Sequence, residues 1–374
     1  LGQIEIPNSV TEIGRGAFWG SGLKEISISD SVTKIGSDAF LGCDLNSITI
    51  PDSVTEIEEE AFNNCIYLTT VQLPSNMKTI PNGCFWNCAG LKNISIPNSV
   101  TEIGMSAFGK CAGMQTMIIP NGVKKIGKHA FEECDALEDI EISDSVSEIG
   151  EGIFEECKNL KKVRLSSNLK TIPKDCFLNC EGLENIEIPN SITEIGEYAF
   201  KNCKNLKTVR LSSGLNTISK HCFTECESLE SIEIPDSVTE IGEDAFCNCK
   251  NMKAVKLSSN IKSVPKACFT YCEKIKSVVI PDGVMEIKDG AFNRCTNLKN
   301  IIIPDSVKKI GNGVFGACDN LESIELPNSV IEVGEYAFSD CKNLKIVKLS
   351  SSMKTIFNGC FLRCEKIESV IIPD

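Results

Sequence analysis

The sequence has little of what catalytic proteins need. It holds 2 histidines, 2 tryptophans and 4 tyrosines in 374 residues. The Walker A, H-E-x-x-H, G-x-S-x-G and G-x-G-x-x-G motifs are all missing from it. Carboxylates are numerous, but they recur at loop positions, and paired acid–base catalysis needs a cleft that separates two pKa values. We therefore predict that the protein is not an enzyme, and we expect no catalytic residue, no cofactor and no metal site.

An excess of positive charge and a long apolar run are also lacking. The net charge is −13, whereas nucleic-acid-binding surfaces and surfaces that adhere to anionic membranes need clustered Lys and Arg. The apolar runs are only a few residues long, so we expect no membrane insertion. The sequence opens with LGQIEIPNSV and shows neither a secretion leader nor an anchor. We expect it to be a segment of a longer protein.

A repeat of about 23 residues organises what is present. The stretch from Leu183, LENIEIPNSITEIGEYAFKNCKN, is followed by similar stretches from Leu206 and Leu229. Counting each leading leucine or equivalent apolar residue as position 1, the sequence contains sixteen full repeats without linkers, the first two of 22 residues. A single unit of this size cannot bury its apolar residues, whereas stacked neighbours can. We therefore expect one continuous solenoid over residues 1–374.

The consensus L-x-x-I-x-I-P-x-S-V-x-x-I-G-x-x-A-F-x-x-C indicates the local structure. Apolar residues two apart, such as Ile186 and Ile188, indicate a strand that ends at proline or serine. A second short extended piece carries Val10 and Ile13 in the first repeat, and we expect a short helical turn to bring Ala, Phe and Cys inward. The predicted class is an α/β repeat solenoid. Repeats alternate between an IPxSVTEIG type and an LSSxLKTI type, which indicates duplication of a two-repeat unit.

Most of the 21 cysteines occupy two repeat positions. Fifteen lie at position 21, from Cys43 to Cys364, and five lie at position 17, where the other repeat type carries alanine or another apolar residue. That substitution favours buried free thiols. Occasional disulfides between neighbouring repeats and metal binding are the alternatives, although a line of ligands at the strand spacing supplies no tetrahedron. One phenylalanine per repeat, from Phe18 onwards, predicts an aromatic stack along the solenoid.

Position 5 of each repeat should face away from the core. There the charge alternates in Glu141, Arg164, Glu187, Arg210, Glu233 and Lys256. Opposite charges on neighbouring strands predict a self-neutralising surface, with a charged strip that contacts a partner as the alternative.

The alternation breaks at Val279 and Ile302, which are flanked by Lys276 and Lys299. Adjacent exposed apolar residues are candidates for partner binding, although single exposed apolar residues are common. Our candidate partner-binding residues are Val279, Ile302, Lys276, Lys299, Arg164, Arg210 and Lys256.

The units LxxIxIPxSVTxIGxxAFxxC resemble leucine-rich repeats of the BspA-like type over essentially the whole sequence. The resemblance implies a curved leucine-rich repeat superhelix with a parallel β-sheet on its concave side. It also implies a bacterial or protozoan protein that is secreted or lies on the cell surface, where such proteins act as adhesins for host extracellular matrix.

Three functions follow as hypotheses. The first is a non-catalytic protein-binding module that presents its sheet to a protein partner. The second is a stalk, roughly 77 Å long at the strand spacing, that displays another domain. The third is the targeting part of a larger enzyme.

Overall fold

The computed structural model describes residues 3–372, and the chain divides into two compact units, Leu1–Leu183 and Glu184–Asp374. Within each unit, a repeat forms one turn of a parallel-strand solenoid. Most repeats contribute a three-residue strand from positions 3–5 and a two-residue strand from positions 12–13. Each strand pairs in parallel with its counterpart in a neighbouring repeat. The solenoid class predicted from the repeat is confirmed.

The strand bounds follow the repeat closely. The three-residue strands are Gln3–Glu5, Glu25–Ser27, Ser47–Thr49, Thr70–Gln72, Thr116–Ile118, Asp139–Glu141, Lys162–Arg164, Asn185–Glu187, Thr208–Arg210, Ser231–Glu233, Ala254–Lys256, Ser277–Val279, Asn300–Ile302, Ser323–Glu325, Ile346–Lys348 and Ser369–Ile371. The two-residue strands are Glu12–Ile13, Lys34–Ile35, Glu56–Ile57, Thr79–Ile80, Glu102–Ile103, Lys125–Ile126, Glu148–Ile149, Thr171–Ile172, Glu194–Ile195, Thr217–Ile218, Glu240–Ile241, Ser263–Val264, Glu286–Ile287, Lys309–Ile310 and Glu332–Val333.

Strand pairing preserves the inward and outward positions from one repeat to the next. Asp139–Glu141 pairs with Lys162–Arg164 so that Ile140 lies opposite Val163. In most three-residue strands the central residue is buried and its two neighbours are exposed. A slip of one residue would move every apolar side chain to solvent, so the apolar period sets the register.

Phenylalanine rings form the centre of each unit. Successive rings from Phe18 to Phe177 are stacked with centroids 5.2–5.9 Å apart. The rings from Phe200 to Phe361 are stacked at 5.1–5.8 Å. Parallel rings at these separations contribute both buried apolar area and aromatic contact. The stack predicted from one phenylalanine per repeat is therefore present within each unit.

The predicted helical turn is wrong, and the α/β label with it, because none of residues 3–372 lies in a helix. Positions 15–20 and 22–23 form turns instead. In one repeat the N–H groups of His129, Phe131 and Glu133 donate to carbonyls of the next repeat at 2.8–3.0 Å, whereas the Glu132 N–H donates three residues back. Positions 16 and 20 adopt positive φ, as at His129 (54°) and Glu133 (52°). Left-handed residues and donors directed at the neighbouring repeat both interrupt the i to i−4 ladder of a helix.

The repeat that begins at Leu91 lacks the three-residue strand, and the repeat that begins at Leu344 lacks the two-residue strand. Residues 93–95 align with the three-residue strands but form none, and within residues 3–372 the N–H groups of residues 93–96 donate no backbone hydrogen bond. Ile94 and Ile96 are nevertheless buried, and Asn93 and Ser95 are exposed. The inward and outward alternation therefore survives where the ladder is lost.

Residues 3–372 contain no helix that is long and apolar enough to cross a bilayer.

Candidate functional site

The long-strand face is the set of exposed side chains at positions 2, 3 and 5 of the repeats, along the three-residue strands. On much of it, neighbouring repeats pair opposite charges. Arg164 lies 3.1 Å from Glu141 and also 2.9 Å from Asp144. Arg210 lies 2.9 Å from Glu187. The parallel register sets these distances, because residues 23 apart lie on adjacent strands.

The same pairing occurs at position 2. Lys161, Lys207 and Lys253 contact the glutamates 23 residues earlier, with nitrogen–oxygen distances of 2.8–3.1 Å. All of these pairs are exposed, and exposed ion pairs contribute little stability, about 0–1 kcal/mol each. The structure confirms that the alternating charges lie next to one another and neutralise the face locally.

Val279 and Ile302 interrupt this charged surface. They are register partners on adjacent strands, and their side chains are 72% and 74% exposed. The central residues of the same strands, Val278 and Ile301, face the core. The strand alternation therefore presents two β-branched side chains together to solvent.

The two lysines beside this pair lack the glutamate partners that Lys161, Lys207 and Lys253 have at the same repeat position. Lys276 and Lys299 are exposed, and neither forms an ion pair with any residue from 3 to 372. We call Lys276, Val279, Lys299 and Ile302 the apolar–basic patch. The remaining predicted contact residues are Arg164, Arg210 and Lys256. Unlike the two lysines of the patch, each of them forms an ion pair with a carboxylate of the previous repeat.

Ile118 is a prominent exposed residue that we did not single out from the sequence. It is 81% exposed and lies between two depressions of about 630 and 500 Å³. The larger depression adjoins the irregular residues 93–98, and the other reaches Glu141 and Arg164. The sequence signal was available, because Ile118 is apolar at a position where other repeats carry charge.

The cysteines are free thiols, and all except Cys247 and Cys364 are buried. At position 21 the thiol has a partner that the sequence did not indicate. Cys134 Sγ donates to the Phe108 carbonyl of the preceding repeat at 3.3 Å, and Cys157 Sγ donates to Phe131 in the same way at 3.0 Å. Burial raises the pKa of Cys157 to about 12. Neutral, hydrogen-bonded thiols of this kind are structural.

Sequence reasoning also missed a cluster of His129, Glu132 and Glu155. One ligand atom from each of the three lies within 4.8 Å of the other two. His129 occupies left-handed position 16, and the glutamates occupy position 19 of two consecutive repeats. These are the only acidic residues at position 19 in the sixteen repeats. That departure from the repeat pattern is the sequence feature from which the cluster could have been predicted. His221 occupies the same repeat position but stacks on Tyr198, with ring centroids 5.0 Å apart.

Comparison with solved structures identifies bacterial leucine-rich repeat proteins as similar. A leucine-rich repeat protein from Bacteroides ovatus is 29% identical, with a TM-score of 0.74, over 96% of this chain and 85% of that one. A leucine rich cell surface protein from Faecalibacterium prausnitzii is 25% identical over 95% of this chain and 88% of that one, with a TM-score of 0.44. A comparison with curated proteins found no match.

Matches to a family model cover the full length. The model for the BspA type leucine rich repeat region (6 copies) matches residues 1–112, 78–188, 170–299 and 262–374. Leucine-rich repeats are scaffolds for protein interaction and are generally non-catalytic. Together with the repeat period, the parallel strands and the phenylalanine stack, these matches show that the chain belongs to the BspA-type leucine-rich repeat family.

Proposed function

We propose that the chain is a non-catalytic protein-binding module of a secreted or cell-surface protein, and that it acts as an adhesin for extracellular matrix of a host. The observation that carries the proposal is the pair of exposed side chains Val279 and Ile302 on adjacent strands of the long-strand face. Buried central contacts between apolar side chains dominate the affinity of protein interfaces. The cell-surface location and the matrix partner rest on the family resemblance.

The chemistry of the apolar–basic patch indicates its partner. Two adjacent apolar side chains fit an apolar anchor, and the unpaired Lys276 and Lys299 fit carboxylates beside that anchor. The partner segment is therefore apolar with flanking acidic residues. Arg164, Arg210 and Lys256 already have carboxylate partners, so they would form a polar surround and contribute less to affinity.

The test is binding of the full chain to immobilised fibronectin, fibrinogen and laminin, at low and physiological salt. We expect saturable binding to at least one of them that persists at physiological salt. Val279→Glu with Ile302→Glu should weaken it by about tenfold or more, because the change places two carboxylates in the contact. Lys276→Ala with Lys299→Ala should weaken binding more at low salt than at physiological salt.

The matched control is Met285→Glu with Ile331→Glu, which adds the same charge at exposed apolar residues outside the three-residue strands. It should leave binding unchanged. Equal loss in both double variants would overturn the assignment to the apolar–basic patch. A folded chain that binds none of the three matrix proteins would overturn the proposed adhesin role.

A second candidate function is that of a spacer which displays another domain. The ion pairs between neighbouring repeats favour it, since they satisfy charges within the chain and leave fewer for a partner. Absence of matrix binding, combined with high resistance to proteolysis, would favour the spacer over the binding module.

A further inference from the structure

We propose that His129, Glu132 and Glu155 form a binding site for a divalent transition-metal ion, with Zn²⁺ as the best fit, that joins two neighbouring repeats. The site is separate from the apolar–basic patch, so it goes beyond the proposed binding function. His129 and Glu132 belong to one repeat and Glu155 to the next. A bound ion would therefore link the turn segments of those two repeats.

The donor atoms lie close to the spacing of a metal site. His129 Nδ1 lies 2.8 Å from Glu132 Oε2 and 3.4 Å from Glu155 Oε2. Around a tetrahedral Zn²⁺ with bonds of about 2.1 Å, neighbouring donors are about 3.4 Å apart. Small rotations of the two glutamate side chains would complete the geometry. A water molecule would occupy the fourth position.

The histidine nitrogen is otherwise unused. Nδ1 of His129 is inaccessible to solvent and has no hydrogen-bond partner, although two carboxylate oxygens lie close to it. Each oxygen is therefore near the nitrogen without lying in line with it. Donors of a metal ion have this arrangement, because their lone pairs converge on the ion between them and not on one another. A buried polar atom without a partner is otherwise costly.

The backbone fixes the cluster before any ion binds. The Glu133 N–H donates to the Glu155 carbonyl at 2.8 Å and the His129 N–H donates to the Glu151 carbonyl at 2.9 Å, so the two repeats are held in register. Gly152 makes room for the imidazole, since a Cβ there would lie 2.5 Å from the His129 ring. The ring is thus seated between Glu132 and the next repeat.

The surrounding charge also favours a cation. Nearby lysines already pair with other carboxylates: Lys110 with Glu133 and Lys128 with Glu151. Glu132 and Glu155 have no lysine or arginine as an ion-pair partner within residues 3–372. Two carboxylates that lie this close to one another repel. A divalent ion would relieve this repulsion.

The donor set selects among metals. One imidazole nitrogen with two carboxylate oxygens suits Zn²⁺ and neighbouring transition metals, whereas Ca²⁺ and Mg²⁺ prefer oxygen donors and six or more ligands. Thiols are the competing ligands in this chain, and the two that are not buried are Cys247 and Cys364. The test is therefore performed with residues 1–374 carrying Cys247→Ser and Cys364→Ser.

The experiment is titration of chelator-treated protein with Zn²⁺ by calorimetry, with Ca²⁺ and Mg²⁺ in parallel. We expect one Zn²⁺ per chain, a raised melting temperature, and an X-ray absorption spectrum with nitrogen and oxygen ligands only. His129→Ala, Glu132→Gln and Glu155→Gln should each weaken binding by about tenfold or more. Gly152→Ala should also weaken it by displacing the ring.

The matched control is His221→Ala. His221 has the same repeat position, but Thr224 and Cys247 replace the two glutamates, so its removal should leave Zn²⁺ binding unchanged. Circular dichroism checks that each variant is folded, and the isosteric glutamine variants serve if His129→Ala unfolds. Absence of Zn²⁺ binding, sulfur ligation, or binding that survives all three ligand substitutions would overturn the proposal.

Discussion

At the scale of single residues, the thiols show how one side chain serves two purposes. Position 21 cysteines such as Cys226 and Cys249 fill core volume, and each of the two donates to the phenylalanine carbonyl of the preceding repeat, Phe200 and Phe223 respectively, at 3.2 Å. Alanine fills less volume and donates nothing, and serine donates but is more costly to bury. Cysteine is thus well suited to a position that is apolar on most sides and faces one carbonyl.

We expect buried thiols to make stability fall in alkali. Burial raises the pKa of Cys111 and Cys157 to about 12, whereas an unfolded cysteine ionises near about 8.5. The unfolded chain therefore releases protons that the folded chain retains. Stability is full below about pH 8.5 and declines as the pH rises towards 12, by up to about 1.4 kcal/mol per pH unit for each such thiol.

Thermal melts followed by circular dichroism between pH 7.5 and 10.5 check this expectation. A variant with alanine at the five position 17 cysteines, a residue that other repeats carry there, should lose less stability over the same range. The replaced residues are Cys84, Cys176, Cys222, Cys268 and Cys360. A melting temperature that is independent of pH in both proteins would contradict the prediction that the buried thiols lower stability in alkali.

At the scale of elements, the turn segment between the second strand and the cysteine is held by both neighbours. Its N–H groups alternate between the next repeat and the residue three positions earlier, and the position 21 thiol contacts the preceding repeat. Position 17 cysteines have a different environment. Cys222, for example, fills core volume at a position where other repeats carry alanine. The two cysteine positions therefore have different structural roles.

That difference predicts unequal costs for the same substitution. Cys134→Ala removes a hydrogen bond to Phe108 as well as core volume, and we expect it to lower the free energy of unfolding by about 1–3 kcal/mol. Cys222→Ala removes volume only, at a position that accepts alanine elsewhere, and should cost about 1 kcal/mol or less. Chemical denaturation of the two variants measures both values. Equal costs would show that the thiol donor contributes nothing.

Much of each element could be predicted from the sequence, because sixteen copies repeat the same pattern. The strands, the inward phenylalanines and the buried cysteines all follow from positions that keep one chemical character. The turn segment could not, since Ala-Phe-x-x-Cys is equally apolar on one side of a helix or of consecutive turns. Positive φ at non-glycine residues such as Tyr198 (57°) and Glu225 (64°) leaves no clear mark in composition.

The candidate sites were predictable to different extents. Val279 and Ile302 could be placed on the exposed side of adjacent strands because they break a regular charge alternation. The His129 cluster depends on two consecutive repeats and on side-chain directions at a left-handed position, so the spacing of its residues alone did not reveal it. Whether Lys276 and Lys299 have ion-pair partners likewise depends on side-chain positions that the sequence does not give.

At the scale of the whole molecule, contacts between repeats join residues about one period apart. Strand partners within the second unit, such as Asn185 and Thr208, are 23 residues apart, and its thiol hydrogen bonds span 26. Whole repeats can therefore be removed without changing the kind of contact that remains. The turns between strands accept a repeat of 22 residues, as in the pairing of Gln3 with Glu25. An additional residue inside a strand, in contrast, turns apolar side chains away from the core.

Two deletions in the second unit test this property. Removal of residues 230–275 takes out one two-repeat unit and joins Leu229 to Lys276, so positions 1 and 2 remain consecutive. We expect that protein to be folded, with a β-rich circular dichroism spectrum and a cooperative melt. Removal of residues 233–277 joins Ile232 to Val278 and leaves one additional residue inside a strand, so one of these two apolar side chains must leave the core, and that strand and its neighbours should lose protection from hydrogen exchange. Equal protection in both would contradict a register set by the period.

The short reach of these contacts also bears on how quickly the chain folds. Sheet proteins fold slowly when their strands pair across long stretches of sequence, because the loops must close before the pairing stabilises them. Here the characteristic separation of 23 residues is roughly 0.06 of the chain length, a relative contact order just below the range of about 0.07–0.12 that is typical of helical bundles. Although the chain is made of strands and turns, its contacts are as local in sequence as those of an all-helical protein. Folding can therefore begin at any repeat and spread to the neighbouring repeats.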